Sequence, residues 1–156
     1  MTPIPDDLST LGRPHHIKVI LISSGAGHCE PIGEDALTVN LIDALRNPPA
    51  DPAVREQMTS LTGRDKAVRE YVMATPGARA LLRDLYEQTT ALLNGWGNPR
   101  SRLVFVHVQC WGGRHRSVAL VEELAALLRA DGIGVQVEHR HIDRPILSAR
   151  PAKGGA

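Results

Sequence analysis

The chain reads as a small α/β fold, a mostly parallel sheet layered with helices, and three observations predict it. Two short apolar, β-branched runs, Ile17 to Ile22 and Leu103 to Val108, each lead into a glycine-containing turn. Helix-period stripes lie between and after them: Ala78, Leu81, Leu82, Leu85, Thr89 and Leu92, then Val118, Val121, Leu124, Ala125 and Leu128. An alternating run from Val135 to His141 follows as a last strand. Strand, helices, strand, helix, strand is the order of a parallel layer, because parallel neighbours need a crossover connection.

Residues 1–16 hold three prolines and no apolar period, and are read as a poorly ordered lead-in. One α/β domain is expected over 17–147, and a proline-, glycine- and alanine-rich flexible tail over 148–156. Within the domain, Ser23 to Cys29 is the loop after the first strand, and Glu34 to about Arg46 is read as a helix or irregular turn. Asn47 to Pro52 ends that segment, and the stretch to Gly63 is expected to be loop. Asp65 caps a predicted helix over Lys66–Ala74, and Thr75-Pro76-Gly77 separates it from the longer helix that follows.

Composition narrows the function classes. The 156 residues, 42% of them hydrophobic, suit one domain with a core. Eighteen basic and seventeen acidic side chains nearly cancel, so no overall basic field advertises nucleic acid. Two cysteines, Cys29 and Cys110, exclude a disulfide scaffold and fit a reducing compartment. With no signal-peptide pattern and no membrane-length apolar run, a cytoplasmic protein with no membrane partner is expected. No pair among His28, Cys29, Cys110 and His115 has zinc-ligand spacing, so neither a metal nor a cofactor is called for.

The chemistry concentrates in Cys110-Trp111-Gly112-Gly113-Arg114-His115-Arg116-Ser117. A buried strand, a glycine turn and a helix start aim backbone N–H groups and the positive end of a helix dipole at one point, where anions bind. Arg114, His115 and Arg116 add donors, and Ser117 adds a hydroxyl. In a parallel sheet the loop carrying His28 leaves the same edge, so both loops are expected to face one pocket. His107, in mid-strand, is read as a satisfied core or sheet-face histidine rather than a ligand.

Two chemical readings follow. Cys110, five intervening residues, Arg116 and then Ser117 satisfy the signature of cysteine-dependent phosphatases. In that chemistry, amides and an arginine fork hold a phosphoryl group while a low-pKa thiolate attacks phosphorus. Those enzymes place a histidine directly before the cysteine, where Gln109 stands here. They also need a general acid, a role that neither Asp35 nor Asp65 can be given from sequence.

The wider pattern resembles the C-terminal domain of the RapZ family of bacterial RNase adaptor proteins. The residues that carry it are Ser23 to Pro31, Asn47-Pro48, Leu61 to Val68, Cys110 to Val118 and Glu138-His139-Arg140, over about Ile17 to Arg144. The resemblance implies a regulatory, non-enzymatic domain that senses an amino-sugar phosphate, glucosamine 6-phosphate, and binds small RNAs. By motif position it implies a ligand pocket of His28, Cys110, Gly112, Gly113, Arg114, His115 and Arg116, to which Trp111 and Ser117 are added from the turn itself. Trp111 replaces a small polar residue, and nothing resembles the nucleotide-binding P-loop of the family's usual partner domain. The basic cluster for RNA is thin; Arg140 and Arg144, with Arg114, are its candidates. Expected partners are a phosphorylated sugar or inorganic anion and a small RNA or protein, with a homo-oligomer natural for a single-domain regulator.

Overall fold

The computed structural model describes residues 17–31, 36–95, 103–148 and 150. Within them four strands, β1 (Ile17–Gly25), β2 (Ala36–Asn40), β3 (Val104–Cys110) and β4 (Gly134–His139), form one sheet in the order β2-β3-β1-β4. Every pairing is parallel, with Gly25 level with Cys110 and Ser23 level with His139. The two central strands therefore end side by side at one edge. Helices α1 (Pro52–Thr59), α2 (Lys66–Met73), α3 (Ala78–Asn94) and α4 (Arg116–Ala130) complete the fold.

The core lies between sheet and helices. Val19, Leu21, Val106 and Val108 of the central strands pack with Leu82 and Leu85 of α3 and with Leu120, Leu124 and Leu128 of α4. Each leucine or valine removed from water there contributes about 1.5–3 kcal/mol, which is why the central strands read as unbroken apolar runs. Val68 and Val72 of α2 pack on Ala119 of α4 as a smaller cluster, so α4 joins sheet and outer helices.

Three readings are corrected. Residues 36–40, expected within a helix or turn, form β2, an edge strand hydrogen-bonded to β3 from Ala36↔Phe105 to Asn40↔Gln109. The stretch expected to be loop before Gly63 contains α1, opened by Pro52 and capped by the Asp51 carboxylate, which accepts the Ala53 N–H at 2.9 Å. Asp65 stands at the α2 N-cap position, but its carboxylate turns back to accept the Thr62 N–H at 2.7 Å. The lead-in 1–16 lies outside the described residues, as do the tail's residues 149 and 151–156. Among the described residues, no helix is long and apolar enough to cross a membrane.

Candidate ligand-binding site at the ends of the central strands

Backbone contact between two loops builds the site. A Cβ on Gly25 would lie 2.5 Å from the Gly112 carbonyl carbon and 2.7 Å from the Gly113 nitrogen. Gly113 has φ +74, and a Cβ there would lie 2.5 Å from the Gly25 nitrogen. Only glycines let the loops after β1 and β3 touch in this way. The Gly27 N–H donates to the Trp111 carbonyl at 3.0 Å, and His28 Nε2 lies 3.3 Å from the Gly112 carbonyl oxygen. The structure thus brings His28 onto the turn, 84 residues away in sequence.

The interior of the turn is occupied by the Cys110 sulfur. Its Sγ accepts the Gly113 N–H at 3.3 Å and lies 3.2 Å from Ser117 Oγ. Cys110 is 3% exposed and Ser117 fully buried. The α4 N-terminus, following His115, has no side-chain cap, so the first amides of the helix and its dipole stay available. At Gly112, by contrast with its neighbour, a Cβ would meet none of the described residues within 4 Å. Among the described residues, open space therefore lies over the turn at Gly112.

The basic residues of the turn diverge. Arg116 Nη1 donates to the carbonyls of Leu41, Ile42 (3.4 Å) and Ala44 (2.7 Å), clamping the segment after β2. Burial chiefly, and Arg46 nearby, lower its pKa from the ordinary arginine value, against the raising influence of Cys110 and Asp43. Arg114 Nη1 donates to the Ile142 and Arg144 carbonyls at 2.9 and 3.1 Å, while its buried Nε has no partner among the described residues. His115 Nε2 lies 3.0 and 2.9 Å from the carbonyls of Met58 and Leu61, fastening the end of α1 to the turn. Trp111 donates from Nε1 to the Ser148 carbonyl at 3.0 Å, and Gly27 lies against both Trp111 and Leu147. The segment after β4 thus crosses beside the turn.

Beneath the loops is a histidine layer that the sequence reading did not assign to the site. His141 is fully buried; its Nδ1 accepts the Gly25 N–H at 2.8 Å, and its ring lies against that of His28, tilted by 38° with centroids 4.4 Å apart. With Nδ1 accepting, the proton sits on Nε2, which lies 2.9 Å from Glu30 Oε2 without an aligned hydrogen bond. His107 is buried and its Nε2 lies 2.6 Å from Ser24 Oγ, but its buried Nδ1 has no partner among the described residues, so the reading as a satisfied histidine holds for one ring nitrogen only. Ser23, His139 and Glu122 line up at 2.6 and 2.7 Å, but the serine lies on Nδ1 and the glutamate on Nε2, the reverse of a catalytic triad, and Ser23 is fully buried. Partners more than a hundred residues apart, as for His141 and Gly25, leave no local signal. Among the described residues, no group of three or more His, Cys, Asp or Glu is placed to hold a metal ion.

Two histidines make stability pH-dependent. Burial first, then the Arg140 charge, lowers the pKa of His107 from 6.5; burial also lowers that of His115, outweighing the Met58 and Leu61 carbonyls that raise it. The folded state therefore favours the neutral rings, and the unfolded chain takes up protons first on acidification. Stability is present above about pH 6.5 and is lost as pH falls from there toward the folded-state pKa values. The melting temperature is expected to drop steadily on going from about pH 7 to 5, less so in His115→Gln; identical profiles for the two proteins would remove the His115 contribution.

Comparison with known proteins decides the family. The sequence profile of the RapZ C-terminal domain matches residues 17–143, which include both glycine loops and the Cys110–Ser117 turn. The chain belongs to the RapZ C-terminal domain family. A nucleotide-binding protein of Parafrankia sp. is 38% identical over 136 residues, covering 85% of this chain and 44% of that protein. One from Bifidobacterium longum is 41% identical over 128 residues, covering 81% and 37%. One from Rubrobacter xylanophilus is 40% identical over 131 residues, covering 81% and 41%. The chain thus spans less than half the length of these curated relatives. The RapZ-type motif and the sheet edge that carries it coincide in this fold.

Proposed function

We propose that this domain is a non-enzymatic sensor that holds a phosphorylated small metabolite, of which glucosamine 6-phosphate is the first candidate, at the Cys110–Ser117 turn. The observation that carries the reading is the open space over Gly112, beside His28 Nε2 and the uncapped N-terminus of α4. An oxyanion there meets backbone N–H donors and a helix dipole. The nitrogens of Arg116 not spent on the 41–44 carbonyls supply charge from the same helix start. The name of the Parafrankia and Bifidobacterium relatives, nucleotide-binding protein, agrees with a phosphate-bearing ligand.

Gly112→Ala tests this with little cost to the fold, because the added methyl enters empty space. Titrated calorimetrically with glucosamine 6-phosphate, the variant is expected to bind at least about tenfold more weakly than the parent, having lost or displaced a charge-assisted hydrogen bond. Equal affinity would remove the anion from the turn.

A cysteine-dependent phosphatase is the second reading, favoured by the Gly113 N–H and Ser117 hydroxyl directed at the Cys110 sulfur. Burial of that sulfur and diversion of Arg116 Nη1 to carbonyls speak for binding instead. Heat that continues until the ligand is exhausted, and stops in Cys110→Ser, would reverse the choice. An RNA partner draws on the family resemblance. The basic candidates carry their own counter-charges: Arg140 pairs with Glu138 at 3.4 Å, and Arg144 with Glu30 at 3.5 Å. A gel shift with structured RNA at low salt tests that partner, and no shift would leave a protein as the receiver of the signal.

A further inference from the structure

A cavity of about 300 Å³ opens against His115 and Arg116, between the 45–49 segment, α1 and α2. None of His28, Trp111, Gly112 or Gly113 lines it, so it is separate from the mouth of the turn. Its inner surface is mainly apolar, with Leu45, Met58, Val72 and Tyr71 in the walls. Three arginines, Arg46, Arg55 and Arg116, also line it, and among the described residues no acidic one does.

Arg64, Arg69, Arg140, Arg144 and Arg150 each pair with a carboxylate. Among the described residues, Arg46, Arg55 and Arg116 pair with none, as do Arg79, Arg83, Arg114 and Arg129, but only the first three share a cavity. Two of them are oriented by backbone instead: Arg55 donates from Nε and Nη2 to the Pro49 carbonyl at 3.2 and 2.8 Å, and Arg116 through Nη1 to the carbonyls after β2. A carbonyl fixes a guanidinium without neutralising it, and each fork keeps nitrogens that have no acceptor among the described residues. Gathering like charges costs folding free energy, and an anion among them removes that cost. Leu45, in the wall, holds φ at 54, a left-handed backbone conformation that residues other than glycine rarely adopt and that the surroundings must hold in place.

We propose that this cavity is a second binding site, for a small organic anion carrying a phosphate or carboxylate on an apolar or aromatic body. The arginines take the oxyanion, and Tyr71 with the aliphatic walls takes the body. Sugar phosphates suit it poorly, since a mainly apolar lining leaves their hydroxyl groups unpaired. The site does not rest on the sugar-phosphate reading of the turn, although the two meet at Arg116.

Phenyl phosphate is the probe, with phenol as the body without charge and inorganic phosphate as the charge without body. In an amide NMR titration, phenyl phosphate is expected to bind at least about tenfold more tightly than either control, with shifts centred on Tyr71, Val72 and Thr75. Arg46→Met and Arg55→Met change exposed side chains outside the turn. Each is expected to weaken phenyl phosphate about tenfold while glucosamine 6-phosphate affinity stays within about twofold. Phenol binding as tightly as phenyl phosphate would make the cavity merely apolar and overturn the proposal. So would shifts centred on His28 and Gly112, or full affinity in both variants. Failure of glucosamine 6-phosphate to bind the parent protein would sink the reading of the turn alone, leaving the phenyl phosphate result to judge the cavity.

Discussion

Gly113→Ala is expected to destabilise the protein by about 3–5 kcal/mol, through strain at a left-handed residue and overpacking against a neighbouring backbone. Residue 113 sits at φ +74, where an L side chain is strained by roughly 1–3 kcal/mol. Its new methyl would also lie 2.5 Å from the Gly25 nitrogen. Backbone cannot yield there cheaply, because the Gly25 N–H is held by His141 and the next turn of the loop by Trp111. Against the 5–15 kcal/mol typical of a domain, such a loss leaves a marginal fold. Urea denaturation compared with Gly112→Ala is the measurement. Adjacent glycines with equal, small effects would contradict the backbone contact on which the site is built.

Arg116→Ala is expected to be the most damaging single change to ligand binding, and it acts twice. It withdraws a charged donor from the α4 N-terminus, which costs about 1.5–3 kcal/mol, or roughly ten- to 150-fold in affinity. It also strips a shared donor from the carbonyls of Leu41, Ile42 and Ala44, so the segment after β2 loosens and the melting temperature falls. Arg116→Lys separates the roles. The ammonium keeps the charge but has no fork with which to hold those carbonyls and still face a ligand. Calorimetry with glucosamine 6-phosphate and thermal melts on both variants check this. A lysine variant equal to the parent in affinity and stability would show that charge alone suffices at this position.

Much of the architecture was legible because neighbouring residues encode it. The apolar runs of β1 and β3 name buried parallel strands, and the stripes of α3 and α4 name the helices that cover them. β2 was misread because five residues, Ala-Leu-Thr-Val-Asn, sit on a half-exposed edge, where the pattern is weak and Ala and Leu favour helix. α1 was missed because none of its residues is buried, so it shows no apolar stripe; its only signals, Asp51 and Pro52, stand in a run that reads as a breaker. The candidate turn was found from its glycines and basic residues, but the partners of those residues were not.

The sequence by itself determined the class of fold, the glycine turn at the end of the central strand and membership of the RapZ C-terminal domain family. Each depends on residues close together in the chain, where propensity, period and motif spacing act directly. Only the tertiary structure decided which charges are already answered. It paired Arg140 and Arg144 with glutamates, spent one nitrogen of Arg116 on the carbonyls after β2, and left Arg46 and Arg55 around a cavity without an acid. It also slid His141 beneath Gly25, 116 residues away. A side chain's available charge and donors depend on what the register of the sheet sets beside it, and no stretch of sequence carries that.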